Sequence, residues 1–350
     1  MDEKKIGVVG IGAIAHLFHL PHYAQHPFVE LVAVADQDYD RAQQTAQQYA
    51  CQAYASAEQM YADADLDAVS ICTFNESHVR LSLQAIAAGL DVLVEKPMTT
   101  TVEDAELLQR AAAASDRIVM VGMSRRYRDD CRVLQSVAAS GELGDIYFAK
   151  ARILRRRGVP LGWFTSMQLS GGGPMMDIGV HALDAVWWMM GMPQPDKAMG
   201  KLFRRIAPYA TKDTGSYEAR SSDNKLQPVY DVEDLGTAYI TFDNGAALTL
   251  EASWAVNGNQ DDAMKIELFG TKGGASLEPL TLFKESNRIP VDSRLSVTKN
   301  DHYKDEIAHF VECVLTRKQP LSDASQGCEI VKMLDAIRRS SEANDAVTVV

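Results

Sequence analysis

Between residues 5 and 122, five short apolar runs (5–10, 30–36, 67–73, 91–95 and 118–122) alternate with longer stretches of helical period. Parallel strands need a crossover of a dozen or more residues, usually a helix, and strands covered on both faces read as continuous apolar runs. The alternation therefore predicts a doubly wound parallel sheet over residues 1–123. Gly89 is placed to end the helix before the run at 91–95, and Pro21 should kink or split the first helix. From about Tyr127 the pattern changes to one helix reaching Ser140, a turn at Gly141 and Gly144, and long strands near 145–157, 231–242, 246–256 and 264–270. Asp243-Asn244-Gly245 marks a tight hairpin between two of these strands. Helices near 302–316 and 323–343 close the chain. Residues 124–350 are thus expected to form an α+β domain with a large, mostly antiparallel open sheet and helices on one face. The polar stretch 210–229, containing Gly215, Ser216, Ser221, Ser222 and Pro228, reads as a loop.

Composition narrows the partners. A formal net charge of -12 argues against nucleic acid or an anionic membrane, both of which attract a basic surface. The cysteines Cys51, Cys72, Cys131, Cys313 and Cys328 are scattered, without a C-x-x-C spacing, and read as reduced thiols. With no signal peptide after Met1 and no run of 18 apolar residues, a cytoplasmic location is expected.

Gly10, Gly12 and Ala15 in "VVGIGAIA" fit G-x-G-x-x-A between the first strand and its helix. The glycines let the backbone approach a pyrophosphate, and the helix start, with Ala13 and Ile14, offers it unpaired N–H groups. A plain strand-to-helix turn would share this pattern. Asp36, at the end of the second strand, supplies the carboxylate that accepts the ribose hydroxyls of an adenosine and repels a 2′-phosphate. NAD is therefore expected over NADP, with Arg41 the one nearby residue that pulls the other way.

Two further groups suggest chemistry. Lys96 ends the strand 91–95, where an open α/β sheet places its ligand crevice, and Pro97 bars it from helical dihedrals. A surface Lys paired with Glu95 fits the spacing equally. In "SGGGPMMDIGVHALD", Pro174 begins a helix after Gly171, Gly172 and Gly173, and on it Asp177, His181, Asp184 and Trp188 share a face. Asp177 would there orient His181 and stabilise its protonated form as an acid/base pair, while a purely structural histidine is the alternative. No third ligand lies near in sequence, so a metal is not expected.

These motifs, with "VAVAD" at 32–36, "CTFNESH" at 72–78, "AGLDVLVEKP" at 88–97, "GMSRRY" at 122–127 and "YKDEIAHFVECVL" at 303–315, resemble the glucose-fructose oxidoreductase/inositol dehydrogenase/MocA (Gfo/Idh/MocA) family nearly end to end. The resemblance implies a Rossmann domain, an NAD-dependent dehydrogenase of sugars or polyols, and dimers or tetramers formed through the second sheet. Carried over by motif, Lys96, Asp177 and His181 are the active-site residues; in the mechanism expected here they touch substrate, with Trp163 and Tyr303 as neighbours of the pocket. Thr73, Asn75, His78, Glu95, Lys96 and Arg126 join the glycine loop and Asp36 around the cofactor, and Arg126 also borders the substrate pocket. The Lys96-Pro97 bond is implied to be cis. Phe74 departs from the family's usual Pro. Arg155, Arg156 and Arg157 invite an acidic substrate, although a solvated edge strand accounts for them more simply. Two rival functions share the fold: an NAD-dependent glycoside-cleaving enzyme and a non-catalytic sensor or co-repressor.

Overall fold

The computed structural model describes residues 3–160, 162–209, 229–259 and 263–350; all of the expected loop at 210–229 except Val229 lies outside them. The first sheet contains β1 (Lys4–Val9), β2 (Val29–Ala35), β3 (Gln52–Tyr54), β4 (Ala68–Ile71), β5 (Asp91–Val94) and β6 (Val119–Val121). Their order is β3-β2-β1-β4-β5-β6, and every neighbouring pair is parallel. Every residue of β4, β5 and β6 is buried, as a sheet covered on both faces requires.

The crossovers are α1 (Leu20–Ala24), α2 (Tyr39–Tyr49), α3 (Ala57–Asp63), α4 (His78–Ala87) and α5 (Val102–Ala113). Side chains of Asp38, Ser56 and Thr101 start α2, α3 and α5 by accepting from Arg41, Gln59 and Asp104 N–H groups. Pro21 acts as expected, because a π turn at Ala15–His19 separates it from the glycine loop. The strand order reverses between β1 and β4, which opens the crevice above their C-terminal ends.

The second half holds α6 (Asp129–Ala139), β7 (Ile146–Leu154), α7 (Met167–Ser170), α8 (Val180–Met189), β8 (Pro195–Phe203), β9 (Leu235–Phe242), β10 (Ala247–Ser253), β11 (Met264–Gly270), β12 (Gly274–Leu277), β13 (Leu280–Ser286) and β14 (Ile289–Arg294), followed by α9 (His302–Thr316), α10 (Ala324–Ala343) and β15 (Val347–Thr348). They build a nine-stranded sheet ordered β14-β13-β12-β11-β7-β10-β9-β8-β15. It is antiparallel except for β7 against β10. The hairpin at Asp243-Asn244-Gly245 forms, with Gly245 at φ +84°. Because β7 lies inside the sheet, the edge-strand explanation of Arg155–Arg157 is wrong; these residues follow the end of an interior strand.

Helices press on one face of this sheet. A Cβ on Gly200 would meet the Ile337 carbonyl oxygen of α10 at 2.9 Å, and one on Gly179 would meet Ala252 of β10 at 3.1 Å. The other face exposes Met199 and Tyr239, 57 and 47% accessible. The two halves share a core, since Ile307, Phe310, Val311 and Val314 of α9 cluster with Ile6, Val8, Leu20 and Leu93 of the first sheet. No helix among the described residues is long and apolar enough to cross a membrane.

Candidate active site

At the first crevice, Gly10 has φ +83°, and a Cβ there would lie 2.8 Å from the Cys72 backbone and 2.7 Å from Thr73 Cγ2. Only glycine fits that approach. A Cβ on Gly12 would meet nothing within 4 Å, so the turn opens onto free space directly before the helix start at Ala13 and Ile14. Asp36 stands at the rim, where its carboxylate accepts from Ile11 N–H at 2.7 Å and Asp38 N–H at 2.8 Å. Arg41 lies 3.5 Å from it and 3.4 Å from Asp38, so its charge is held by two carboxylates. An open, donor-lined turn with a fixed acid 24 residues beyond Gly12 fits a dinucleotide carrying a free 2′-hydroxyl.

Lys96 leaves β5 through a cis bond to Pro97, as the resemblance implied. Its ammonium crosses to the second half and donates to the Asp177 carbonyl at 2.9 Å and to Asp177 Oδ1 at 3.1 Å. Trp254 Nε1 donates to the other carboxylate oxygen at 3.0 Å. Burial favours the neutral form of Asp177, but the charges of Lys96 and Arg155 and the hydrogen bonds from Lys96 and Trp254 outweigh it, and the carboxyl is held below its ordinary range.

The expected Asp177–His181 pair is corrected here. Asp177 sits in a π turn, Met175–Gly179, whose wider turn takes it off the face it would share with His181 in a regular α-helix. Asp177 therefore serves Lys96 and Trp254, while His181 Nδ1 is buried without a hydrogen-bond partner. Nor is the protonated imidazole stabilised. Burial, and then the charges of Lys96 and Arg125, push His181 well below its ordinary value of 6.5. The site holds a neutral histidine beside a charged lysine.

The triple glycine has a partner that sequence reading missed. Glu233 accepts from Gly173 N–H at 2.9 Å and Met175 N–H at 3.2 Å, which caps the turn leading to Asp177. A Cβ on Gly173 would fall 2.2 Å from the Glu233 carbonyl oxygen, and one on Gly171 would fall 2.7 Å from Thr100. The chain threads between two walls.

Other expected site residues divide. Arg126 is 0% exposed, and its guanidinium is bound to Asp184, the Leu321 carbonyl and Gln326. It is a buried link between helices with no face left for cofactor or substrate; the residue within electrostatic reach of His181 is its neighbour Arg125. His78 is also buried, its ring nitrogens 2.8 Å from the Pro97 carbonyl oxygen and 3.2 Å from that of Thr73, so it braces the crevice loops. Asn75 donates to the Ser170 carbonyl at 2.8 Å and ties the crevice to α7. Thr73 stays against Gly10.

Glu95 is buried, with its carboxylate 2.9 Å from His19 Nε2 and 3.2 Å from the Lys96 N–H. Burial would raise it, but the bond and charge of His19 win and hold it below its ordinary value. Tyr303 stacks on Phe18 at 3.7 Å between centroids. Trp163 stacks on Phe164 at 3.9 Å and lies 5.3 Å from Phe74, so the residue that departs from the family pattern joins an aromatic cluster.

Comparison with known proteins matches residues 4–123 to a family described as an oxidoreductase family with an NAD-binding Rossmann fold, and residues 131–276 to the GFO/IDH/MocA C-terminal domain. D-glucoside 3-dehydrogenase of Escherichia coli (strain K12) is 30% identical over 348 residues, which cover 98% of this chain and 97% of that protein. scyllo-Inositol 2-dehydrogenase (NAD(+)) of Bacillus subtilis (strain 168) is 24% identical over 326 residues, covering 91% and 88%. A levoglucosan dehydrogenase solved with NADH and L-sorbose shares the fold over 100% of both chains, with a TM-score of 0.86 at 19% identity.

Proposed function

The chain belongs to the Gfo/Idh/MocA family of NAD-binding oxidoreductases, and from that premise we propose that it oxidises a secondary ring hydroxyl of a sugar or polyol, the 3-hydroxyl of a D-glucoside being the first candidate. The E. coli relative supports this choice of substrate because its likeness extends over both domains. What supports the reading is Lys96, clamped by Asp177 at the end of β5, within electrostatic reach of a buried His181 whose imidazole is held well below its ordinary value.

Bound NAD supplies the hydride acceptor. Two of the three ammonium protons of Lys96 go to Asp177, leaving the third to donate to the substrate oxygen as its negative charge develops. His181, uncharged, takes the hydroxyl proton. Asp177 fixes the lysine and leaves the histidine free to act as base. Glu95, Asn75 and His78 keep the crevice loops in place, and Trp163 and Tyr303 border the substrate.

The test is NADH absorbance with a panel of glucosides, their 3-deoxy analogues, inositols and uronates. NADH from a glucoside but not from its 3-deoxy analogue is expected. Turnover of inositols alone would move the assignment to polyols, and no turnover with any member would favour the sensor. Net NADH would also exclude glycoside cleavage, which regenerates NAD in each cycle.

Asp36 should make NAD bind at least about tenfold more tightly than NADP, about 1.4 kcal/mol. Asp36→Ser combined with Gln37→Arg should narrow or reverse the preference, as read by titration of each nucleotide. NADP binding tighter to the unmodified protein would count against the assignment.

The pH profile follows from His181. A depressed imidazole stays unprotonated, and so competent as a base, to lower pH than a free one; the acid limb of kcat/KM should lie well below pH 6.5. His181→Ala should remove that limb and lower turnover by about a hundredfold or more. An acid limb centred at or above pH 6.5 would contradict the burial argument.

The chain is also expected to form a homodimer or homotetramer, because the apolar residues on the helix-free face of the second sheet call for cover. Light scattering at micromolar concentration should give a multiple of 38.4 kDa. A monomer mass would refute it.

A further inference from the structure

His302 has no part in the chemistry above, yet it stands within electrostatic reach of His181. It is the first residue of α9, whose start is fixed by Asp301 accepting from the Lys304 N–H, and its ring lies 4.5 Å from that of Tyr303. Arg125 Nη1 lies 2.9 Å from His302 Nε2. A guanidinium has donors only and keeps its protons, so Nε2 must accept and the proton of the neutral ring must sit on Nδ1. Burial and the charges of Arg125 and Arg128 bring this imidazole down to about 4, which keeps the ring neutral at ordinary pH. Nδ1 has no hydrogen-bond partner among the described residues.

The mount is rigid. Arg125 sits in the short 3-10 turn Ser124–Tyr127, and its neighbour Arg126 is locked to Asp184, three residues beyond His181. The same turn packs against α8, which carries His181, and against α9, which carries His302. A fixed donor therefore stands in the electrostatic neighbourhood of the base, in a tautomer imposed by an arginine.

We propose that His302 determines specificity, its Nδ1–H donating to a substrate hydroxyl next to the one that His181 deprotonates. This rests on the sugar-oxidising function proposed above and deepens it. A donor backed by Arg125 selects an oxygen with a free lone pair. It disfavours a sugar ammonium at the same carbon, where donor would face donor beside a positive charge. The substrate class is thus a neutral or acidic glycoside.

The experiment measures kcat/KM of the unmodified enzyme, His302→Phe and His302→Asn with a glucoside and its 2-, 4- and 6-deoxy analogues, with NAD affinity measured alongside. Phe keeps a ring against Tyr303 but has no N–H; the Asn amide can place an N–H near the Nδ1 position. In the unmodified enzyme one deoxy analogue should lose about tenfold or more, the scale of one missing hydrogen bond at a buried polar site. That loss should vanish in His302→Phe and persist in His302→Asn, with NAD affinity unchanged in both. Equal penalties in the unmodified enzyme and His302→Phe for every analogue would overturn the assignment. So would a penalty lost in His302→Asn while the parent glucoside reacts as before, and either variant alone decides it if the other does not fold. Absence of NADH from any glucoside with the unmodified enzyme would strike the proposed function itself, a result seen before a variant is made.

Discussion

Lys96→Ala should lower turnover by roughly a hundredfold or more, the scale of losing one donor to a developing oxyanion, and leave NAD affinity nearly intact. The ammonium is attached to both halves of the molecule, through β5 on one side and through the Asp177 carbonyl and carboxylate on the other. It is thereby aimed before substrate arrives, which is where its catalytic advantage lies. The carboxylate of Asp177 keeps its bond from Trp254 in the variant, so folding should survive. Lys96→Arg should rescue poorly, because a planar fork cannot replace a compact donor at a single oxygen. Stopped-flow or steady-state NADH formation, with nucleotide titration and a melting curve, separates the effects. Near-full turnover with unchanged folding would reduce Lys96 to a structural partner of Asp177.

Arg126→Ala should destabilise the fold by about 3–5 kcal/mol, the cost of leaving one partner of a buried ion pair alone. The side chains of Arg126 and Asp184 are 0 and 1% exposed, and burial already pushes Asp184 above its ordinary value despite the arginine. Removing the guanidinium also strips donors from the Leu321 carbonyl and Gln326. Urea unfolding should show a lower midpoint with a similar slope, and Arg126→Met combined with Asp184→Leu should recover most of the loss. A fully stable Arg126→Ala that binds NAD weakly would restore the cofactor role first expected of this residue.

That expectation failed for a local reason. Arg125 and Arg126 are adjacent in a 3-10 turn, where neighbours point in quite different directions, and no pattern in "GMSRRY" says which turns inward. Asp177 and His181 failed to pair for a related one, because four-residue spacing implies contact only if the helix between is regular, and a π turn leaves no mark in composition. The first sheet was readable because buried parallel strands are continuous apolar runs. Its three-residue β3 fell below that signal. In the second sheet β9, β10 and β11 were legible, whereas β13 and β14 carry charged and exposed residues and β8 begins at a proline. The parallel partnership of β7 with β10 joins residues about a hundred apart, which local periodicity cannot encode. Glu233 was invisible because its role lies in a contact with a turn 60 residues away.

The packing of α9 against the first sheet also dictates an order of events during synthesis. When the first 123 residues have left the ribosome they can pair their strands, but Ile6, Val8, Leu20 and Leu93 still lack Ile307, Phe310 and Val311. The edge of β6 likewise waits for Ser322, whose carbonyl accepts from Val121 N–H at 2.8 Å. Closing so long a loop is slow, and until it closes the nascent nucleotide-binding half carries an uncovered apolar face. A chain cut at residue 123 would keep that face permanently; the half that binds the dinucleotide is completed only by the last tenth or so of the polypeptide.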